Sequence, residues 1–497
     1  MVSFNSIPSN IRVPLFYAEV DNSQASAPSY SERTVLLGHK LSAGVSAANV
    51  PQQVPSADQA AYLFGAGSML HHMARIARQN DPFGEIWAVA VAEPDGGVAA
   101  AADIVIAGPA SAAGTLPIYI GNRKYAVAVA SGDTAAEVAT ALAAAIQADS
   151  YRHVTAAADD DTVTVTARHT GTVGNGLRVE VAPLGLLGGE ALPAGIAVTV
   201  ADLADGTGVV DLADALAAIG DDPADYIALP WTDTGALDAI KAFLADDAGR
   251  WGPLQQLYGG AFAARVDTLG NLTTFGNARN DQHVSVLGLR DCANPVWEVA
   301  SAYAARCGQS LKIDPARPVQ TLALNGVAIR TGMARFALVE RNTLLFDGSS
   351  TTYIGDDGTV HIERAITTYQ TNAWGQGDAS YLDVTTPYTL AAVLRRLRYR
   401  ITQKFPRHKL ANDGTPFGAG QAIVTPKMIR AELIAEYKEM MRLGLVENLE
   451  AFQASLIVER NATDPNRIDV VYGPDLVNQL RIFAVLAQFR LQYADAA

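Results

Sequence analysis

From Val209 onward the chain alternates helix-like and strand-like segments, and this rhythm constrains the fold more than any other feature. Helix Val209–Ile219 leads to the apolar run Asp225–Pro230, and helix Gly235–Ala245 leads to Gln256–Ala263. Helix Thr268–Asn277 then leads to His283–Leu287, and helix Pro295–Cys307 follows. Strands that alternate with helices pair in parallel and are covered on both faces. The same pattern occurs earlier. Thr34–Gly38 reads as a short buried strand, and a helix is predicted over Ser56–Arg78, capped by Ser56. Its apolar positions Leu63, Leu70, Met73 and Ile76 recur at helical spacing, and the all-apolar Ile86–Val91 follows as a strand.

Between these two stretches the texture changes. Residues 96–205 are rich in Ala, Gly, Thr and Asp. Strands are predicted at Asp103–Ile106, Ile118–Ile120, Tyr125–Val129, Thr162–Thr166 and Leu177–Val181, with one helix over Thr134–Ala148. This is a mostly β module inserted into an α/β core made of residues 29–95 and 206–354. Residues 355–497 read as an α+β C-terminal domain. The expected fold is therefore α/β and multidomain: a parallel-sheet core, a mostly β insertion and an α+β C-terminal domain.

In that last domain Val360–Thr368 reads as a strand, followed by two amphipathic helices. Leu390, Leu394, Leu397, Ile401 and Phe405 form the apolar stripe of the first. Arg395, Arg396, Arg398 and Arg400 lie off that stripe, mostly toward solvent. The second helix opens at Thr425-Pro426, with Ile429, Leu433, Tyr437 and Met440 on one side and Glu432, Glu436 and Glu439 elsewhere. Strand-like pieces Ser455–Val458, Arg467–Tyr472 and Leu480–Arg490 close the chain.

The first 28 residues do not read as a domain. Pro8, Pro14 and Pro28 forbid a continuous helix, and Arg12–Val20 is extended and apolar-rich. Asp21–Ser26 reads as a polar tether. Two readings of the arm stand: an edge strand of its own domain, or a strand added to a neighbouring subunit's sheet.

Charge sharpens the division. The chain carries a formal net charge of −14, which argues against nucleic-acid binding. The segment from Val360 to the end holds 16 basic and 14 acidic residues, so an acidic body precedes a near-neutral, locally basic C-terminal part. No apolar run is long enough to span a membrane, and the N-terminus lacks a secretory pattern, so synthesis in the cytoplasm is expected.

Motifs for chemistry are missing. There is no phosphate loop and no serine-nucleophile elbow. Gly65-Ala66-Gly67 lacks the third glycine of a dinucleotide fingerprint, that position being Leu70, and it lies inside the helical pattern. His71 and His72 are adjacent, cannot form an i, i+4 ligand pair, and read as ordinary surface or core histidines. Asp159-Asp160-Asp161 reads as a solvated loop, and Cys292 and Cys307 as two idle thiols. No catalytic residue, metal or cofactor is expected, and the chain reads as no enzyme. The arginine cluster at 395–400 stands as either a solvated helix face or a docking face for an acidic protein, with Lys404–Lys409 an equal basic candidate.

The opening Ile7–Asp21 resembles the start of Mu-like contractile phage tail sheath proteins. The run Gly171–Arg178 and Pro465–Gly473 are similar too, and the likeness extends over the whole chain. The resemblance implies a structural subunit that stacks as hexameric rings in a helix around a tail tube. It contracts to drive the tube through the host envelope for genome delivery, and the virion tail is its place. Partners implied are further copies, the tube protein, and baseplate and terminator proteins. Also implied are two inter-subunit arms. One uses Arg12, Val13, Leu15, Phe16, Tyr17 and Val20, the other Leu480, Ile482, Phe483, Val485, Leu486 and Phe489. The C-terminal domain would face the tube, with Arg395, Arg396, Arg398 and Arg400 as docking candidates, and the insertion would project outward. A non-contractile shell or surface-layer protein, and more remotely an α/β enzyme, are the alternatives.

Overall fold

A computed structural model of the chain describes residues 31–418 and 420–491. Contacts divide it into two compact units. Among the described residues the larger holds 31–314 and 319–391, and the smaller 315–318 and 392–491.

The larger unit is built on a six-stranded sheet. Its order is Val284–Leu289, Gly260–Val266, Tyr226–Leu229, Arg33–His39, Glu85–Val91 and Gln52–Gln53. The first five strands are parallel, and only the short edge strand Gln52–Gln53 runs antiparallel. Every residue of Tyr226–Leu229 and Val284–Leu289 is buried, so both faces are covered, as the alternating sequence requires. Helices Met69–Asn80 and Val296–Ile313 pack on each other and on these strands.

The predicted helix over Ser56–Arg78 is two helices, Ala57–Phe64 and Met69–Asn80. The break falls at Gly65 and Gly67, with φ of +90° and +76°, values that glycine adopts without a Cβ penalty. Ser56 accepts from the Gln59 N–H at 3.1 Å, and Ser68 accepts from the His71 N–H at 3.1 Å, so each helix has its own cap. Helical periodicity across residues 63–76 concealed the break. Gly67 also permits a close approach: a Cβ there would stand 2.9 Å from the carbonyls of Ser150 and Arg152, in the insertion.

The insertion forms a four-stranded antiparallel sheet, Ala197–Val200, Ala99–Ala107, Thr162–Thr170 and Val154–Asp159. It also forms a three-stranded one, Arg123–Val129, Gly114–Ile120 and Val179–Val181. Helix Ala135–Ala148 starts with a reciprocal capping box between Thr134 and Glu137. Val154–Asp159 and Ala197–Val200 were not foreseen: the first is diluted by three alanines, and the second is only four residues long.

The expected boundary at 354/355 moves. Strands Thr351–Ile354 and Val360–Arg364 pair with each other, and Val360–Arg364 also pairs with Leu322–Ala323, so residues up to Ala391 stay with the larger unit. The division falls inside helix Thr385–Lys404. An unpredicted helix, Leu338–Phe346, precedes these strands.

In the smaller unit, Val393, Ile429, Leu433, Tyr437, Met440 and Phe452 form a buried core, with Leu397, Ile401 and Phe405 packed against it. Helix Pro426–Arg442, helix Leu449–Ser455 and the hairpin Ile457–Arg460 with Ile468–Val471 complete it. No described helix is long and apolar enough to cross a membrane.

Candidate functional site

The residues singled out for function fall in the terminal segments and on the basic helix. Arg12, Val13, Leu15, Phe16, Tyr17 and Val20 lie outside the described residues.

At the other end, the run Leu480–Arg490 takes up no strand with any described residue. The last ladder contacts before it are the bridge between Val446 and Leu476 and the Val477 N–H donated to the Leu445 carbonyl. Beyond them, Leu480, Ile482, Phe483, Val485, Leu486 and Phe489 are 67–85% exposed. The run is apolar without a break from Ile482 to Ala487, yet no described strand lies beside it. A run of this size, unburied in one chain, marks an interaction surface.

The basic helix differs from expectation. Helix Thr385–Lys404 carries Arg396, Arg400 and Lys404 at steps of four residues, on one face. That face meets Glu432 and Glu436, also four apart, on Pro426–Arg442 within the same unit. Arg396 Nε donates to Glu436 Oε1 at 3.0 Å, Arg400 pairs with Glu432 and lies 3.7 Å from Glu436 Oε2, and Lys404 pairs with Glu432. Both glutamates are buried. Arg396 and Arg400 are thus corrected from solvent-facing candidates to internal ties. Burying Glu432 and Glu436 is tolerable only beside these cations. Arg395 is half-buried, and Arg398 is exposed. In the second basic segment Arg407 is exposed, while Lys409 donates to Gln421 Oε1 at 3.1 Å.

Sequence reasoning passed over a buried polar cluster in the larger unit. His72, expected as an ordinary histidine, is 1% exposed, and its side chain faces His153 and Glu298. Asp160 and Asp161 form the turn between two insertion strands, while Asp159 ends the first of them, paired with Thr162. Cys292 and Cys307 are free and buried, and burial pushes the Cys292 thiol up to about 12.

These features define an assembly protein, with an unburied apolar terminal run as its most distinctive surface. The phage tail sheath protein central domain matches residues 205–368, and the phage tail sheath C-terminal domain matches residues 376–490. The Mu-like prophage FluMu tail sheath protein of Haemophilus influenzae is 42% identical over 493 residues, covering 99% of this chain and 100% of the relative. The chain belongs to the phage tail sheath family.

Solved structures of sheath proteins are also similar, at low identity. A sheath tail protein from Listeria innocua is 13% identical with a TM-score of 0.48, covering 92% of this chain and 94% of the other. The helical sheath of the anti-feeding prophage in its contracted state is 12% identical with a TM-score of 0.48, covering 97% and 100%. One from Desulfitobacterium hafniense is 14% identical with a TM-score of 0.46, covering 93% and 100%.

Proposed function

We propose that this chain is the repeating subunit of a contractile tail sheath, stacked as hexameric rings around a tail tube and linked through its terminal segments. The observation that carries the linkage is the exposed apolar run Leu480–Phe489. An extended segment of this kind gains most by adding to a sheet of the next subunit, where its backbone groups pair and alternate side chains are buried. The N-terminal run Arg12–Val20, apolar and tethered by Asp21–Ser26, is the complementary arm on sequence grounds. Ladders between subunits hold the lattice while the bodies slide, so contraction needs no nucleotide. It runs downhill once new body-to-body contacts exceed those of the extended state. Of the arginines at 395–400, Arg398 is the exposed candidate for docking on the tube, with the exposed Arg407 nine residues further on. The tube, baseplate and terminator partners, and assembly in the host cytoplasm, belong to this same reading.

The test is deletion of residues 480–491. The truncated chain is expected to keep its folded circular dichroism and to fail to form linked tubes in electron micrographs. Normal sheaths from that deletion would overturn the arm assignment.

A further inference from the structure

The buried cluster His72, His153 and Glu298 joins three segments distant in sequence. His72 sits on helix Met69–Asn80 of the core, and Glu298 on helix Val296–Ile313. His153 belongs to the insertion, one residue before its strand Val154–Asp159. One ligand atom from each lies within 4.8 Å of the other two. His72 Nδ1 is 3.4 Å from Glu298 Oε1, and His153 Nε2 is 3.9 Å from the same oxygen. The two imidazole centroids are 4.0 Å apart.

The first of these contacts is not satisfied as it stands. Neither nitrogen of His72 has a hydrogen-bond partner, although the residue is 1% exposed. An unpaired polar group in the interior costs free energy and calls for an explanation, such as an ion. Two imidazoles and a carboxylate are the donor set of a zinc-type ion. The surrounding contacts are those that orient ligands. Asn294 Nδ2 donates to Glu298 Oε2 at 2.6 Å, and His153 makes a backbone hydrogen bond to Gly121. Arg75 donates to Glu298 Oε1 at 3.0 Å and balances its charge. A dication would take over that balance, and the Arg75 side chain, 39% exposed, has solvent to turn to. A cavity of about 10 Å³ beside His72, His153 and Trp297, about the size of one water, adjoins the two imidazoles.

We propose that His72, His153 and Glu298 bind a divalent zinc-type ion that pins the insertion to two helices of the core. Its burial makes the site structural, filled as the chain folds. The ion would offset the unpaired imidazole and add to the contacts that already hold the insertion to the core, such as the Met69 N–H donated to His169 Nε2 at 3.0 Å.

The experiment uses the full chain purified from zinc-supplemented medium, with metal content measured by mass spectrometry. About one zinc per chain is expected. Growth with cobalt should give the visible d–d absorption of a low-symmetry nitrogen–oxygen site. His153→Gln and Glu298→Gln should each lose the metal, while His71→Gln, whose imidazole stands outside the cluster, keeps it. Wild-type chain with neither zinc nor a cobalt spectrum overturns the proposal, whatever the variants do. Metal retained in both ligand variants, or lost equally in His71→Gln, overturns it too.

Discussion

Arg396 Nε donates to Glu436 Oε1 across 3.0 Å, the first of three ties between two helices of the C-terminal unit. Arg400 and Lys404 continue the ladder to Glu432. Glu436 is 4% exposed, so its charge is stabilised by these partners rather than by water. Replacing Arg396 by Met keeps the stem that packs on the helix and removes the charge-assisted hydrogen bond. Arg396→Met should destabilise the unit by about 1.5–3 kcal/mol, read from the urea midpoint by circular dichroism.

Arg398 stands on the same helix, exposed. Arg398→Glu should leave the urea midpoint within about 0.5 kcal/mol of wild type. If the tube is docked through this position, the variant assembles with tubes less efficiently in a co-sedimentation assay. Equal co-sedimentation would remove Arg398 from the docking surface.

Gly67 has φ of +76°, and a Cβ there would lie 2.9 Å from two backbone carbonyls of the insertion. Neither carbonyl can move as a side chain would. Gly67→Ala should therefore cost more than the about 1–3 kcal/mol of left-handed strain alone. Thermal unfolding should show it, with early protease cleavage near residues 150–152 as the insertion loosens.

What the sequence made legible follows from how local each signal is. The parallel core was readable because Ile86–Val91 and Asp225–Pro230 announce two-sided burial in their own composition. The two helices over residues 57–80 were not separated, because their apolar spacing continues across Gly65–Gly67, and only backbone geometry shows the break. Arg396 and Arg400 were placed in solvent because a single helix cannot reveal what faces it. Their partners lie 40 and 32 residues away. The pairing was encoded, as an i, i+4 acidic pair at Glu432 and Glu436 matching a basic pair at the same step. His72, His153 and Glu298 come from segments 81 and 145 residues apart, and no spacing rule joins them.

His39 is buried on the core sheet, its Nδ1 3.0 Å from the Val91 carbonyl, with Trp231 and His169 around it and Glu93 bonded to His169. Burial first, and the neighbouring His169 second, push it down to about 4. In the unfolded chain it titrates near 6.5. The folded state thus prefers the neutral ring, and this contribution to stability is complete above about pH 6.5. It is lost as pH falls from there toward 4, because unfolding takes up a proton. Between those values His39 should add up to one proton, or about 1.4 kcal/mol per pH unit, to the slope of stability against pH. His39→Phe should flatten that slope in urea titrations at pH 4.5–7. An unchanged slope would show that the ring is already charged in the folded chain.

Tyr437 links the core of the C-terminal unit to the segment that leaves it. Its ring stacks on Phe452 at 3.8 Å, its hydroxyl donates to the Glu447 carbonyl, and it accepts the Asp475 N–H at 3.2 Å. Asp475 stands five residues before Leu480, so this acceptor is among the last anchors ahead of the exposed apolar run. Tyr437→Phe keeps the stack and removes both hydrogen bonds. The cost should be about 0.5–1.5 kcal/mol per bond, with faster hydrogen exchange at the Asp475 amide. Phe452→Ala instead opens a cavity under the same ring and should cost about 3–5 kcal/mol, unfolding the unit as a whole. If the anchor matters for handing the terminal run to a neighbour, Tyr437→Phe slows assembly of full-length subunits out of proportion to its small loss of stability. Assembly at the wild-type rate, with the Asp475 amide exchanging faster, would separate the anchor from the arm's delivery.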